Sequence, residues 1–226
     1  MRKSFRKWLA SLVLPFVLGL PQAQAFTHPS IPCTLEELDT IKANLNREPW
    51  KQGYAVLSGD GKSQLTYVMN GPFVNVSRKG AYDQYLGAWR NDMVAVYNLA
   101  RMWYFTGNAA YAQKAHDILL AWANTHTSFT GNESGLDLGD YAVCYGGGAS
   151  ILRGTWPGWT SADTAAVKNY FQNVLGPASL AWGNTLGPAN KGAIYSEAAI
   201  AMAVFCDDTE KFNQIVNLTR TFHGSG

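Results

Sequence analysis

The segment from Asp92 to Asn124 constrains this chain more than any other. Residues 92–105 hold only two charges, Asp92 and Arg101, so a helix there is buried on most of its sides. Gly107-Asn108 follows, a pair that stops a helix on a left-handed glycine. From Ala109 to Asn124 the residues Tyr111, Ala115, Ile118, Leu119 and Trp122 recur at helical spacing, with Gln113, Lys114, His116 and Asp117 off that stripe. Two helices joined by so short a link lie antiparallel, and the pattern predicts contact through Tyr97, Leu99, Ile118 and Leu119. His116, off the stripe, is expected in solvent.

The same unit recurs along the chain. Thr34-Leu35-Glu36-Glu37 is a capping box that opens a helix to about Asn46, and Pro49-Trp50 ends it. Residues 58–78 are rich in Gly, Asn and Ser and read as an ordered loop. Asp92 reads as the start of its helix, with Arg90 and Asn91 anchoring it. Residues 131–157 read as a long irregular stretch around Gly146-Gly147-Gly148. No Lys and hydroxyl residue follow those glycines, which excludes a phosphate loop. Thr160 and Asp163 cap a further helix that ends at Gly176-Pro177. Residues 193–205 form the most hydrophobic helix, and Asp208 starts another. Helices in pairs, without period-2 strands, predict an all-α fold: an incomplete α/α toroid built from antiparallel helix pairs.

Residues 1–25 read as a signal peptide. Arg2, Lys3, Arg6 and Lys7 precede the apolar stretch Trp8–Leu20, and Ala23-Gln24-Ala25 supplies the small residues of a cleavage site. Export to periplasm or medium is expected, with one domain over residues 26–226 and no membrane attachment after cleavage. The net charge of +2 changes once that leader is set aside. Four of 18 basic residues lie in it, leaving 14 against 16 acidic ones. A near-neutral surface argues against nucleic acid as a partner. Cys33, Cys144 and Cys206 allow at most one disulfide, without naming its partners. Neither they nor the four histidines stand at metal-ligand spacing, so no metal and no cofactor is expected.

Several of these features stand in a particular order. His28-Pro29-Ser30 precedes a capped helix, followed by Pro49-Trp50 and by Trp103…Thr106-Gly107-Asn108…Tyr111-Ala112. Ile118-Leu119-Leu120-Ala121-Trp122 comes next, then Asn190 before a long helix closing at Asp207-Asp208. In that order they resemble the alginate lyase family of secreted helical polysaccharide lyases. The resemblance implies a monomer that cleaves an acidic, uronate-containing polysaccharide by β-elimination. Asn190 then neutralises the substrate carboxylate, and Lys191 stands where the family has a histidine, as a base or as a second carboxylate clamp. Arg78 and Tyr82 fall where family members contact the sugar chain, and Trp182 is a candidate for stacking on a ring. The family's catalytic tyrosine would fall beyond Gly226, so a C-terminally truncated member is expected, its last helix exposing an apolar flank. Two other readings stay open: a polysaccharide-binding protein without catalysis, and a glycoside hydrolase on the same scaffold. The latter needs two carboxylates across a cleft, and Glu133, Asp137 and Asp140 read as one loop without a partner.

Overall fold

Helix signals and helix breakers alternate along the chain, and the computed structural model follows them over residues 26–79, 84–187 and 190–221. The expected leader, residues 1–25, lies outside the described residues. Helix α1 (Leu35–Ala43) begins at the capping box, where Glu37 N donates to Thr34 Oγ1 and Thr34 N donates to the Glu37 carboxylate. Helix α1 ends at Ala43, capped by Asn44, so Pro49 does not end it. Pro49 caps α2 (Trp50–Gly59), because a residue without an N–H costs nothing at a helix start. The expected loop is therefore helical over its first residues. It then runs to a three-residue strand, β1 (Asn75–Ser77), which pairs in parallel with β2 (Ser128–Thr130), Val76 facing Phe129.

Helix α3 (Leu86–Thr106) and α4 (Ala109–Thr125) form the predicted hairpin, and Gly107 closes α3 at φ +73°. Leu99, Ile118 and Leu119 are buried. Tyr97 is the exception in that set, since it lies against Gly147 and Gly148 of the next helix. His116 is not in open solvent either: it sits against the Trp156 ring, with Nε2 3.2 Å from Asp163.

The largest correction concerns residues 131–157. They hold α5 (Ser134–Thr155), a helix of 22 residues buried along most of its length. Its glycines admit neighbouring helices rather than break the turn. A Cβ at Gly148 would come within 2.7 Å of Val96, and one at Gly139 within 2.1 Å of Ile194. Helix propensity alone disfavours three consecutive glycines, and tertiary packing overrides it. Helix α6 (Ser161–Tyr170) starts at its predicted capping box and continues as a wider turn over Phe171–Leu175. Helices α7 (Asn190–Phe205) and α8 (Thr209–Thr221) complete the described residues.

Three of these helices run parallel, side by side. Arg90 near the start of α3 meets Asp137 near the start of α5, while Trp103 donates to Thr155 near both ends. Gly139 meets Ile194 near the starts of α5 and α7, and Arg153 donates to the Phe205 carbonyl at their ends. Helices α4 and α8 return antiparallel behind α3 and α7, and α6 packs on α4. The result is an inner layer of α3, α5 and α7 backed by α4, α6 and α8, without closure into a ring among the described residues. Ala193, Ile200 and Val204 of α7 line a groove of about 440 Å³ with Ile31 and Ala142.

Buried polar groups tie the layers together. The fully buried Asp92 is not a helix start; it lies within the second turn of α3 and accepts from Tyr67 Oη, the backbone N–H groups of Asn70 and Gly71, and Trp122 Nε1, all at 2.8–2.9 Å. Trp89 Nε1 donates to Tyr170 Oη, which donates to His126 Nδ1, leaving His126 Nε2–H for the Ser128 carbonyl. A third group joins His28 to Ser150, Arg153 and Asp207. It has the composition of a nucleophilic triad without its proton path. Arg153 donates to His28 Nε2, so Nδ1–H and the Ser30 N–H both donate to Ser150 Oγ, and no base is left for the hydroxyl. Cys33, Cys144 and Cys206 are free thiols.

His28 and His126 set an acid limit on stability. Burial lowers both to about 4, Arg153 assisting at His28. A histidine whose folded pKa is depressed gives stability that is fully present above its unfolded value, about 6.5, and is lost as pH falls through the folded one. Each contributes up to about 3 kcal/mol over that window. The urea midpoint should therefore fall steadily between pH 6.5 and 4. His126→Asn should flatten this decline by about one proton, and an unchanged slope would count against the network.

Candidate active site

The starts of α3, α5 and α7 share one end of the inner layer, so three positive helix dipole ends face the same region. Cationic side chains gather there. Arg78 follows β1, and its position is set by the β1–β2 pair: its N–H donates to the Thr130 carbonyl at 2.9 Å. The chain then passes Gly131 at φ +104°, where any Cβ would collide with the Arg78 carbonyl. The Arg78 guanidinium donates to Asp137 Oδ2 at 2.7 Å and lies 3.5 Å from Glu133. Arg90 donates to the other Asp137 oxygen.

Asp137 is fully buried and holds two arginine forks whose outer edges stay partly exposed, at 23% and 34%. Lys79 Nζ meets Glu133 at 3.0 Å. The Lys79 hydrogen bond, and after it the charges of Lys79, Arg78 and Lys191, hold the Glu133 carboxyl below its usual range, against an opposing effect of desolvation. Lys191 thus belongs to the same electrostatic neighbourhood. Its side chain and Tyr195 lie against Gly187, which folds back over the first turn of α7. Asn190 is the first residue of that helix and is exposed, so it begins the helix rather than standing before it as a cap.

The sequence-predicted residues divide accordingly. Arg78 and Lys191 are brought to the same group of charges, with Asn190 beside Lys191. Tyr82 lies outside the described residues. Trp182 sits on the turn Leu180–Gly183 with Lys211 of α8 5.5 Å from its ring and Gly176 against its indole, contacts of the outer layer.

Sequence reasoning weighed Asp137 only as one of three carboxylates on a loop without a partner, passed over Tyr141 and read Arg90 only as an anchor. Asp137 and Tyr141 are one turn apart on α5, and the Arg90 guanidinium lies 5.7 Å from the Tyr141 ring. That i, i+4 relation exists only if the segment is helical, so reading it as irregular hid both. The carboxylates also regroup: Asp140 on α5 raises the pKa of Glu197 on α7, after the larger effect of burial. Tyr85 adds an aromatic surface beside Gln84 and Ser77. It is half exposed, stacked on Phe73 at 3.7 Å, and held at φ +56°, a conformation that strains a bulky residue.

No individual curated protein and no solved structure matches the chain. The family model described as Alginate lyase does, over residues 39–224, a span that includes both helix layers and every residue of the charged group. Members of that family are lyases acting on alginate, and this chain belongs to the alginate lyase family.

Proposed function

We propose that the protein cleaves alginate by β-elimination at a uronate bound where α3, α5 and α7 begin. The carrying observation is the gathering of Arg78, Lys79, Arg90 and Lys191 about Glu133 and Asp137, with Asp140 also acting on Arg90, at the positive ends of three helices. That arrangement favours a polyanion. Removal of the C5 proton requires neutralisation of the adjacent carboxylate, because the developing negative charge spreads onto it. In this reading the Asn190 amide donates to the uronate carboxylate and the Lys191 ammonium pairs with it. Tyr141, beside Arg90, is the phenol that moves the proton. Acting as the base it takes the C5 proton, the C4–C5 double bond forms, and the C4–O4 bond breaks with the proton passed to O4. Tyr85, backed by Phe73, offers a ring face for a neighbouring sugar. Export is part of the same proposal, since the pattern of residues 1–25 would bring the enzyme to a polymer found outside the cytoplasm.

Lys191→Ala separates the roles. As a clamp, Lys191 is expected to raise KM on alginate about tenfold or more when removed, with a partial fall in kcat because Asn190 still neutralises part of the developing charge. As the base, it would abolish turnover with binding kept. Unchanged KM and kcat would move the site elsewhere. Turnover is read as absorbance of the unsaturated product in the short ultraviolet. A second reading, hydrolysis, draws on the Asp140–Glu197 pair, in which Glu197 has the raised pKa of a general acid. It predicts new reducing ends without that absorbance.

A further inference from the structure

A pocket opens beside the charged group, between the end of β2, the start of α5 and the turn Leu180–Gly183. It holds a space of about 370 Å³, lined among others by Thr130, Asn132, Ser134, Pro177, Leu180 and Tyr195. That size suits one small ligand or one ring of a longer one. None of the side chains that line it is charged. Its wall is nevertheless continuous with the cations. The Thr130 carbonyl accepts from the Arg78 N–H, and Glu133, between Asn132 and Ser134, pairs with Lys79. Asp137, which holds Arg78 and Arg90, follows Ser134 within one turn of α5.

Tyr195 gives this space a recognising group. Its ring is wedged between two glycines: a Cβ at Gly135 would come within 2.6 Å of it, and one at Gly187 within 2.8 Å. Side chains on a helix lean toward its N-terminus, so this phenol leans over the turn of α7 that carries Lys191. The residue is only 5% exposed. Its hydroxyl makes no hydrogen bond among the described residues, yet it is not sealed from solvent. The open side of that hydroxyl is the pocket it lines. A phenol this deeply buried normally finds a partner, and here the partner comes from outside the chain.

Given β-elimination at the charged group, on which this assignment rests, we propose that the pocket receives the sugar next to the bound uronate and reads its hydroxyl edge, not its carboxylate. A carboxylate turned inward would lose its water without meeting a cation, which is costly. Hydroxyls lose less and gain Tyr195 Oη. Ser134 Oγ already donates to the Gly131 carbonyl, so it is left to accept from them. Leu180, 48% exposed, offers apolar contact to the C–H face of the ring. The carboxylate of that sugar then points outward past Leu180. Tyr195 is thereby a positioning residue: it sets the register that lays the next uronate on Asn190 and Lys191. Charge is demanded at one sugar only, and polymers carrying neutral hexoses beside their uronates become substrates.

The test uses the full chain and alginate whose carboxyl groups are partly reduced to primary alcohols, with products sequenced by mass spectrometry. The unsaturated residue should always derive from a uronate. A neutral hexose should flank the cut on one side as often as its share in the polymer predicts, and its exclusion from both sides would overturn the proposal. Tyr195→Phe keeps the ring between the two glycines. It should raise KM about fivefold with kcat nearly kept, on intact and reduced polymer alike. An unchanged KM, or a loss confined to kcat, would make Tyr195 a packing residue and end the assignment. Leu180→Asp should slow intact alginate about tenfold relative to the reduced polymer at low salt, through repulsion of the outward carboxylate. Equal effects on both polymers would contradict that orientation. Binding of β-1,4-mannobiose, followed by saturation-transfer NMR, requires no cleavage and should be weakened by Tyr195→Phe. If intact alginate is not cleaved, β-elimination fails as the activity while mannobiose still decides the pocket. No mannobiose binding at millimolar concentration would overturn it.

Discussion

Asp137→Asn is expected to lower kcat/KM on alginate about 100-fold, because one carboxylate orients two guanidinium groups in the cleft. The amide keeps the size of the side chain but loses one acceptor and the charge. Arg78 then leans on Glu133 and Arg90 is freed, so the positive groups no longer meet the substrate in a fixed pattern. The stability cost should be smaller than for a fully buried pair, about 2 kcal/mol, since both arginines keep a solvated edge. Kinetics and urea unfolding of the same variant separate the two effects. Turnover that stays at the parent level while stability drops would make Asp137 a purely structural residue. Arg78→Lys should reproduce part of the loss, because a lysine cannot span Asp137 and Glu133 as a fork does.

Asp92→Ala should have the largest effect on folding, about 4 kcal/mol, seen as a fall of roughly 10 °C in Tm. The carboxylate is fully buried and receives four donors from two separate parts of the chain: Tyr67 with the Asn70–Gly71 backbone in one loop, and Trp122 on α4. Removing it leaves those donors in the core without acceptors, and each orphan costs about 1–3 kcal/mol. Trp122 is fully buried against this carboxylate, so its fluorescence should report the change directly. A Tm within a degree or two of the parent would mean that water replaces the carboxylate.

Local signals proved reliable where they were chemically complete. The capping boxes at Thr34 and Thr160 start α1 and α6, and Gly107 ends α3 in the left-handed conformation. Each depends only on residues within one turn of the chain. The failures are equally specific. Gly146-Gly147-Gly148 looked like a loop because the meaning of those glycines lies in Val96, Tyr97 and Ala201, far away in sequence. Asp92 looked like a helix start because acidic residues favour that position, whereas its ligands come from a preceding loop and from α4.

The candidate site follows the same division. Arg78 and Lys191 were visible as cations in positions that the family resemblance marks, and their nearness to each other was not. Asp137, Arg90 and Tyr141 became legible only once α5 was a helix beside α3. The sequence by itself determined the helical class, the main hairpin and the caps, because these rest on spacings within a few turns, and the family, because its features keep their order along the whole chain. The parallel inner layer, the convergence of three helix starts and the shared carboxylate between two arginines were decided by tertiary structure. Charges from segments 47 and 59 residues apart act together only when packing removes the water between them, and no local pattern encodes that distance.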